Sequence, residues 1–292
     1  MKNQELKNYR IHKPMDYLHR RLFLNNGPLM HELFNFQGTY EGPCPNKILN
    51  GDGSISEVDI AYLSKIENSK KKIINVEDET NTVNEKTLKK LNKYKINLQY
   101  TYGLPVLSVI TTTLPRKRCL KELKISSTEL IRPIIISYLG FDGEKDLNTL
   151  KNKILNNEPL TRIEFIKLIL VIKTFKNNHS TILESICNLV KKAKIDDVKF
   201  KMEMVYCSRY IIHKYARTTE DIIRLEEAIG LKKAVTCGSI IDDIKNEGIA
   251  EGIDKGKLNI LNSLANDPNS NYTVEELAKK FGFTVEQILN GE

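Results

Sequence analysis

Two stretches dictate that this chain builds a sheet with charge at the end of its strands. "SEVDIAYLS" (residues 56–64) and "KKIINVEDET" (residues 71–80) place apolar and polar side chains in the alternation of a strand. The turn-rich "NSKKK" between them is a hairpin-like connection. Alternation sets Asp59 on the face opposite Val58 and Ile60. It likewise sets Glu77 and Glu79 opposite Val76, with Asp78 pointing the other way. Carboxylates beside an apolar run cost free energy unless something compensates them. In the right register Asp59 meets Glu77 and the two form an oxygen-rich pocket. Three arrangements satisfy the pattern: a solvated strand end, surface ion pairs with Lys70, Lys71, Lys72 or Lys86, or a metal site. Exposed ion pairs contribute only about 0–1 kcal/mol, whereas a hard cation such as Mg²⁺ is held by one or two carboxylates and waters.

The rest of the chain supplies layers for that sheet. "MDYLHRRLFLNNGPLMHELFNF" (15–36) predicts one or two helices interrupted at Gly27-Pro28. A turn-rich segment with Pro43, Pro45 and Asp52-Gly53 follows, and a further short strand is expected at "NKIL". In "VNEKTLKKLNKYKINLQYTY" Leu88, Leu91 and Leu98 fall near helical spacing, with Lys86, Lys89, Lys90 and Lys93 on the polar side. "LPVLSVITTTL" is a β-branched run typical of a buried strand. The order predicts an α/β fold with a mixed sheet and helices packed on it. From about residue 126 the character changes. "IRPIIISYLGF" suits a strand or a short buried helix, and four segments between 161 and 230 carry helical spacing. In the tail, Gly248, Gly252 and Gly256 form one helical stripe, suited either to a close partner helix or to a linker. "YTVEELAKKFGFTVEQILNGE" predicts a small helix-turn-helix with capping pairs Thr273/Glu276 and Thr284/Gln287. The expected divisions are 1–125, 126–235 and 236–292, the last a candidate for self-association.

Other chemistries lack their signatures. The five cysteines are scattered without zinc spacing, and the five histidines are not at ligand spacing. No nucleophile elbow or phosphate-cradling glycine loop is present. The longest apolar run, "FIKLILVIKTF", is short and broken by lysine, so a soluble cytoplasmic protein without a membrane span is expected. The formal net charge is +8. Its basic clusters include Lys86, Lys90 and Lys93 and, in "PRKRCLK", Arg116 and Arg118. As a group these suit phosphate neutralisation.

The block from "LMHELFNFQGTYEG" through "SEVDIAYLS" and "KKIINVEDETNT" to "LKKLNKYKINLQYTYGLPVLSVITTT" resembles the PD-(D/E)xK nuclease superfamily. More closely, it resembles the Rpn-type recombination-promoting nucleases and transposases, whose C-terminal tails the glycine stripe and small helix pair also resemble. The resemblance implies a Mg²⁺- or Mn²⁺-dependent DNA endonuclease linked to recombination or mobile elements. Asp59 matches the acidic residue of the second strand and Glu77 that of the third, the two metal-holding positions. Glu32, in "MHELF", matches the first-helix glutamate found in parts of the superfamily, a candidate accessory acid. Glu79 stands where the superfamily has lysine and Rpn-like members often have glutamine. It adds charge where a cation is expected, so it is either an assisting catalytic residue or the mark of a degenerate, binding-only module. A lysine from the following helix, Lys86 or Lys90, is the alternative source of that cation.

Overall fold

The computed structural model describes residues 10–49, 54–66, 70–127, 129–231, 265, 273–281 and 284–290. In chain order the elements of the main body are α1 (Pro14–Leu33), β1 (Thr39–Pro43), β2 (Lys47–Leu49), β3 (Ile55–Glu57), β4 (Ile60–Lys65) and β5 (Lys71–Asp78). They continue with α2 (Glu85–Tyr102), β6 (Val106–Thr112), β7 (Leu123–Lys124), β8 (Leu130–Ile131) and β9 (Ile134–Ser137). Helices α3 (Gly143–Leu155), α4 (Arg162–Leu170), α5 (His179–Lys192), α6 (Val198–Tyr215) and α7 (Thr219–Ala228) follow.

The central sheet has the order β1-β4-β5-β6-β9. It is mixed: β1 pairs antiparallel with β4 and β4 with β5, whereas β5, β6 and β9 run parallel. Parallel pairing needs a crossover, and α2 provides it between β5 and β6. Asn84 caps this helix by accepting from the Thr87 amide, and Gly103, at φ 64°, closes it in the left-handed conformation that glycine adopts freely. Its buried leucines cover one sheet face, Leu98 against Ala61 and Ile73, Leu88 and Leu91 against Ile110 and Ile135. On the opposite face, Phe23 of α1 packs toward Tyr62 with ring centroids 6.1 Å apart. Helix α6 lies on α1, joined by Arg21, whose guanidinium makes two 2.7 Å hydrogen bonds to Glu203.

Three sequence expectations change. "SEVDIAYLS" is two strands, because β3 pairs with β2 and Val58 donates its N–H to the Asn46 carbonyl. The central ladder therefore starts at Ile60, opposite Val76, and leaves Asp59 in a bend. The interruption expected at Gly27-Pro28 is present one residue earlier: within Pro14–Leu33 two helical stretches meet at a kink at Asn26. Gly27 is required there, since a Cβ would sit 2.3 Å from the Tyr40 ring. The third change is the boundary at 125: Arg10–Lys233 is one compact unit, and β9 completes the sheet that the earlier residues begin.

What joins the later helices to the sheet is a buried ion pair. "FIKLILVIKTF" ends in a 3₁₀ turn, Val171–Thr174, and Lys173 on it is 1% exposed. Its ammonium lies 2.9 and 3.0 Å from the two oxygens of Asp78 and 4.2 Å from the Tyr138 ring centroid. The Thr111 hydroxyl donates to Asp78 at 2.7 Å, and His19 Nε2 lies 3.3 Å from that hydroxyl. Burial alone pushes the Asp78 carboxyl up, but Lys173, His19 and Thr111 outweigh it and hold the group below its ordinary value.

In the tail, described by itself, α8 (Val274–Phe281) and α9 (Val285–Asn290) bury Ala278 and Ile288 together. Thr273 and Glu276 form the expected capping box. Gly248, Gly252, Gly256 and Gly282 lie outside the described residues, as does most of the 236–292 segment expected to self-associate.

Removing one partner of a buried pair strands the other charge. Lys173→Met is therefore expected to lose about 3–5 kcal/mol of stability in urea unfolding. Adding Asp78→Asn in the same chain is expected to restore most of it, and an additive loss would contradict the pairing.

Candidate active site

The β4–β5 register decides whether the two acids of the sequence pattern meet. Ile60 lies opposite Val76, so the next pair outward is Asp59 and Glu77. They are joined directly: the Asp59 N–H donates to Glu77 Oε1 at 3.0 Å, and Asp59 Oδ2 accepts from the Asp78 N–H at 3.3 Å. Glu77 thus closes the end of the ladder with its side chain. Asp59 is also approached by Arg20 of α1, whose Nη2 lies 3.5 Å from Oδ1 and whose Nη1 bonds Glu57 at 2.5 Å.

Helix α2 brings the cation. Lys90 Nζ lies 2.8 Å from Glu77 Oε2 and 3.2 Å from Glu79 Oε1, so one ammonium sits between the two glutamates. It also lies 5.6 Å from the Tyr94 ring centroid, a cation–π distance. The position follows from the helix register: Leu88 and Leu91 turn inward, and Lys90 flanks that buried face. Glu79 continues past β5, its N–H donated to the Thr111 carbonyl at 2.9 Å.

The electrostatics are unusual for a strand end. Burial, and after it the charge of Asp59, pushes the Glu77 carboxyl up to about 7, against the pull of Lys90 and of the Asp59 N–H. Burial works against a charged Lys90 too, but Glu77 and then Glu79 outweigh it and raise its pKa. At neutral pH Glu77 therefore lies near the midpoint of its titration, beside Asp59 and the ammonium of Lys90. A group with such a pKa can exchange a proton at physiological pH or give it up to an incoming cation.

The other expected site residues fall elsewhere. Glu32 is exposed and stands roughly three turns beyond Arg20, the residue of α1 that reaches Asp59, so it is not brought to the cluster. Its neighbour His31 is a packing residue, 3.2 Å from the Tyr62 hydroxyl and 2.9 Å from the Gly38 carbonyl. Lys86 and Lys93 are exposed on α2, and Arg116 is exposed on the 3₁₀ turn Arg116–Arg118. Arg118 lines a separate cleft. Among the described residues no three His, Cys, Asp or Glu side chains converge as a metal cluster; Asp59 and Glu77 meet with Arg20 and Lys90, which also pair with Glu57 and Glu79. Arg20 was missed because nothing in its helix distinguishes it from the adjacent Arg21. Comparison of the chain with protein-family models, curated proteins and solved structures finds no match to any of them.

The raised Glu77 pKa has a signed consequence. Between its ordinary 4.5 and about 7 the folded chain keeps a proton that the unfolded chain has lost, so this group makes stability fall as pH rises through that window. Buried His19, lowered to about 4 by desolvation, contributes the opposite slope between about 4 and its ordinary 6.5. The readout is therefore the difference between wild type and Glu77→Gln in thermal melts. The variant is expected to gain relative to wild type from pH 5 to pH 8, and a difference that does not change with pH would contradict the assignment.

Proposed function

We propose that this chain is a metal-dependent nuclease of the PD-(D/E)xK type, akin to the Rpn-type recombination-promoting nucleases, that hydrolyses phosphodiester bonds in DNA. The observation that carries the reading is the ammonium of Lys90 at the Asp59–Glu77 pair. The resemblance asks for two acids and a lysine. Asp59, in the bend before β4, and Glu77, on β5, supply the acids, and Lys90 from the next helix supplies the cation missing at position 79. The sheet, mixed and flanked by helices on both faces, is compatible with that fold.

The residues present fit Mg²⁺ or Mn²⁺. Both donors are hard carboxylate oxygens, and the Glu77 carboxyl, raised by burial first and by Asp59 second, is short of positive charge. Asp59 and Glu77 would hold the ion, which supplies an activated water and polarises a phosphoryl oxygen. Lys90 is the group that stabilises negative charge developing on the phosphate. Arg20 and the Asp78 N–H hold Asp59 in place. Glu79 competes for Lys90 rather than joining the ligands, so it tunes the lysine. One observation favours the degenerate reading, a nucleic-acid-binding or protein-interaction module: Glu77 and Glu79 both already pair with Lys90.

Plasmid nicking separates the two readings. Wild type with Mg²⁺ or Mn²⁺ is expected to cut, EDTA and Asp59→Asn to abolish cutting, and Lys90→Met to slow it by about 10²–10³-fold. Glu79→Gln is expected to retain activity. Cutting that survives Asp59→Asn and EDTA would overturn the nuclease assignment. DNA retention in a gel shift without any cutting would establish the degenerate module.

A further inference from the structure

A second feature lies one residue beyond the acidic cluster. A cleft of about 530 Å³ opens at the carboxyl ends of β5 and β6, starting at Thr80, next to Glu79. Lys117 and Arg118 on one side and Lys176 and Lys214 on the other all line it. The four are exposed, and none of them makes an ion pair among the described residues. No carboxylate lines the cleft. Some basic residues elsewhere are paired, Lys71 with Glu41, Lys89 with Glu85, Arg132 with Glu122 and Arg224 with Glu184, and others stand singly; here four gather around one concavity. Four uncompensated cations around one concavity repel one another and raise the local potential, which an anion relieves.

The cleft is also partly aromatic. Phe175, His179 and Tyr215 contribute half-buried rings to its wall, and His179 stacks on Tyr215 with centroids 4.8 Å apart and planes at 17°. Cations that follow a phosphate backbone, combined with rings on which bases stack, are the recognition chemistry of an unpaired nucleic-acid strand. Size separates this from duplex binding. Sites for single drug-sized ligands span about 300–1,000 Å³, so a cleft of about 530 Å³ matches one or two unpaired nucleotides better than a base-paired segment.

We propose that this cleft binds single-stranded DNA, holding an unpaired segment at the end of β5 that carries the carboxylates. The inference names the substrate class for the nuclease reading and rests on it for its biological sense, but the binding itself needs neither metal nor cleavage. The helices after residue 126 supply one wall of the cleft, through Lys176 on the segment leading into α5 and Lys214 at the end of α6.

The test is fluorescence anisotropy of the full chain with a labelled mixed-sequence 12-mer, single-stranded or annealed to its complement, in EDTA. Wild type is expected to bind the single strand more tightly than the duplex. The double variant Lys176→Glu/Lys214→Glu, which alters only exposed side chains and is expected to melt as wild type does, should weaken single-strand binding ~10-fold or more. Two lost phosphate contacts should reduce the slope of log affinity against log salt by about 1.4, from ~0.7 per phosphate on a single strand. Lys151→Glu/Lys199→Glu, at exposed lysines of α3 and α6 outside the cleft, matches the change in net charge and should bind as wild type. Unchanged binding by Lys176→Glu/Lys214→Glu, equal loss in Lys151→Glu/Lys199→Glu, or a preference for duplex would each overturn the proposal. Because EDTA removes cleavage from the measurement, failure here leaves the Asp59–Glu77 assignment standing. Failure of plasmid nicking likewise leaves the binding result intact.

Discussion

Two neighbouring carboxylates at the end of β5 point to opposite faces of the sheet, and each has to be neutralised where it lies. Glu77 meets Lys90 of α2 on one face; Asp78 meets Lys173 on the other. Neither glutamate nor aspartate can be left alone there, since an uncompensated buried charge costs several kcal/mol. The two lysines therefore fix which helices cover which face. On the α2 side the neutralisation is incomplete, because burial and, after it, the second acid Asp59 push the Glu77 carboxyl up to about 7. On the Lys173 side it is complete, and the Asp78 carboxyl is held low. One face is built for stability and the other retains an unspent demand for positive charge.

This difference gives the later helices a role beyond bulk. Lys173 belongs to the segment after α4, so the helical half of the chain clamps the strand that bears Glu77. The same half contributes Lys176 and Lys214 to the basic cleft beside Glu79. Sheet and helices thus meet along β5 twice, once through a buried pair and once through a basic wall. Charge is sorted accordingly, with carboxylates gathered at the strand end and unpaired cations next to them.

The sequence made the sheet legible because alternation has a period of two and the apolar runs are β-branched. The pairing of Asp59 with Glu77 followed from that alternation once register was granted, and the structure sets the register at Ile60–Val76. The switch at position 79 was readable as a missing cation, and Lys90 was among the lysines that could replace it. Which lysine does so depends on how α2 turns on the sheet, a packing property that leucine spacing gives only to within a turn. Lys173 left a trace that went unread: a lysine inside "LILVIKTF" and an aspartate on the apolar face of β5 each need a partner. Their separation of 95 residues hides the match from any local pattern. Glu32 shows the opposite failure, an acid in a suitable motif that the helix carries past the cluster. The break of "SEVDIAYLS" at Asp59 was invisible because it is imposed by β2, not by the residues at the break.

The central claim is that Asp59 and Glu77 form a site for a divalent cation. It is tested most directly by titrating the wild-type chain with Mn²⁺ at pH 7, following free Mn²⁺ by electron paramagnetic resonance and proton release by a pH indicator. The account predicts saturable binding accompanied by release of part of a proton, because the ion takes the place of the proton on a Glu77 poised near 7. It further predicts loss of both signals in Glu77→Gln and retention of both in Glu79→Gln. Binding that persists in Glu77→Gln, or no saturable binding by the wild type, would contradict it.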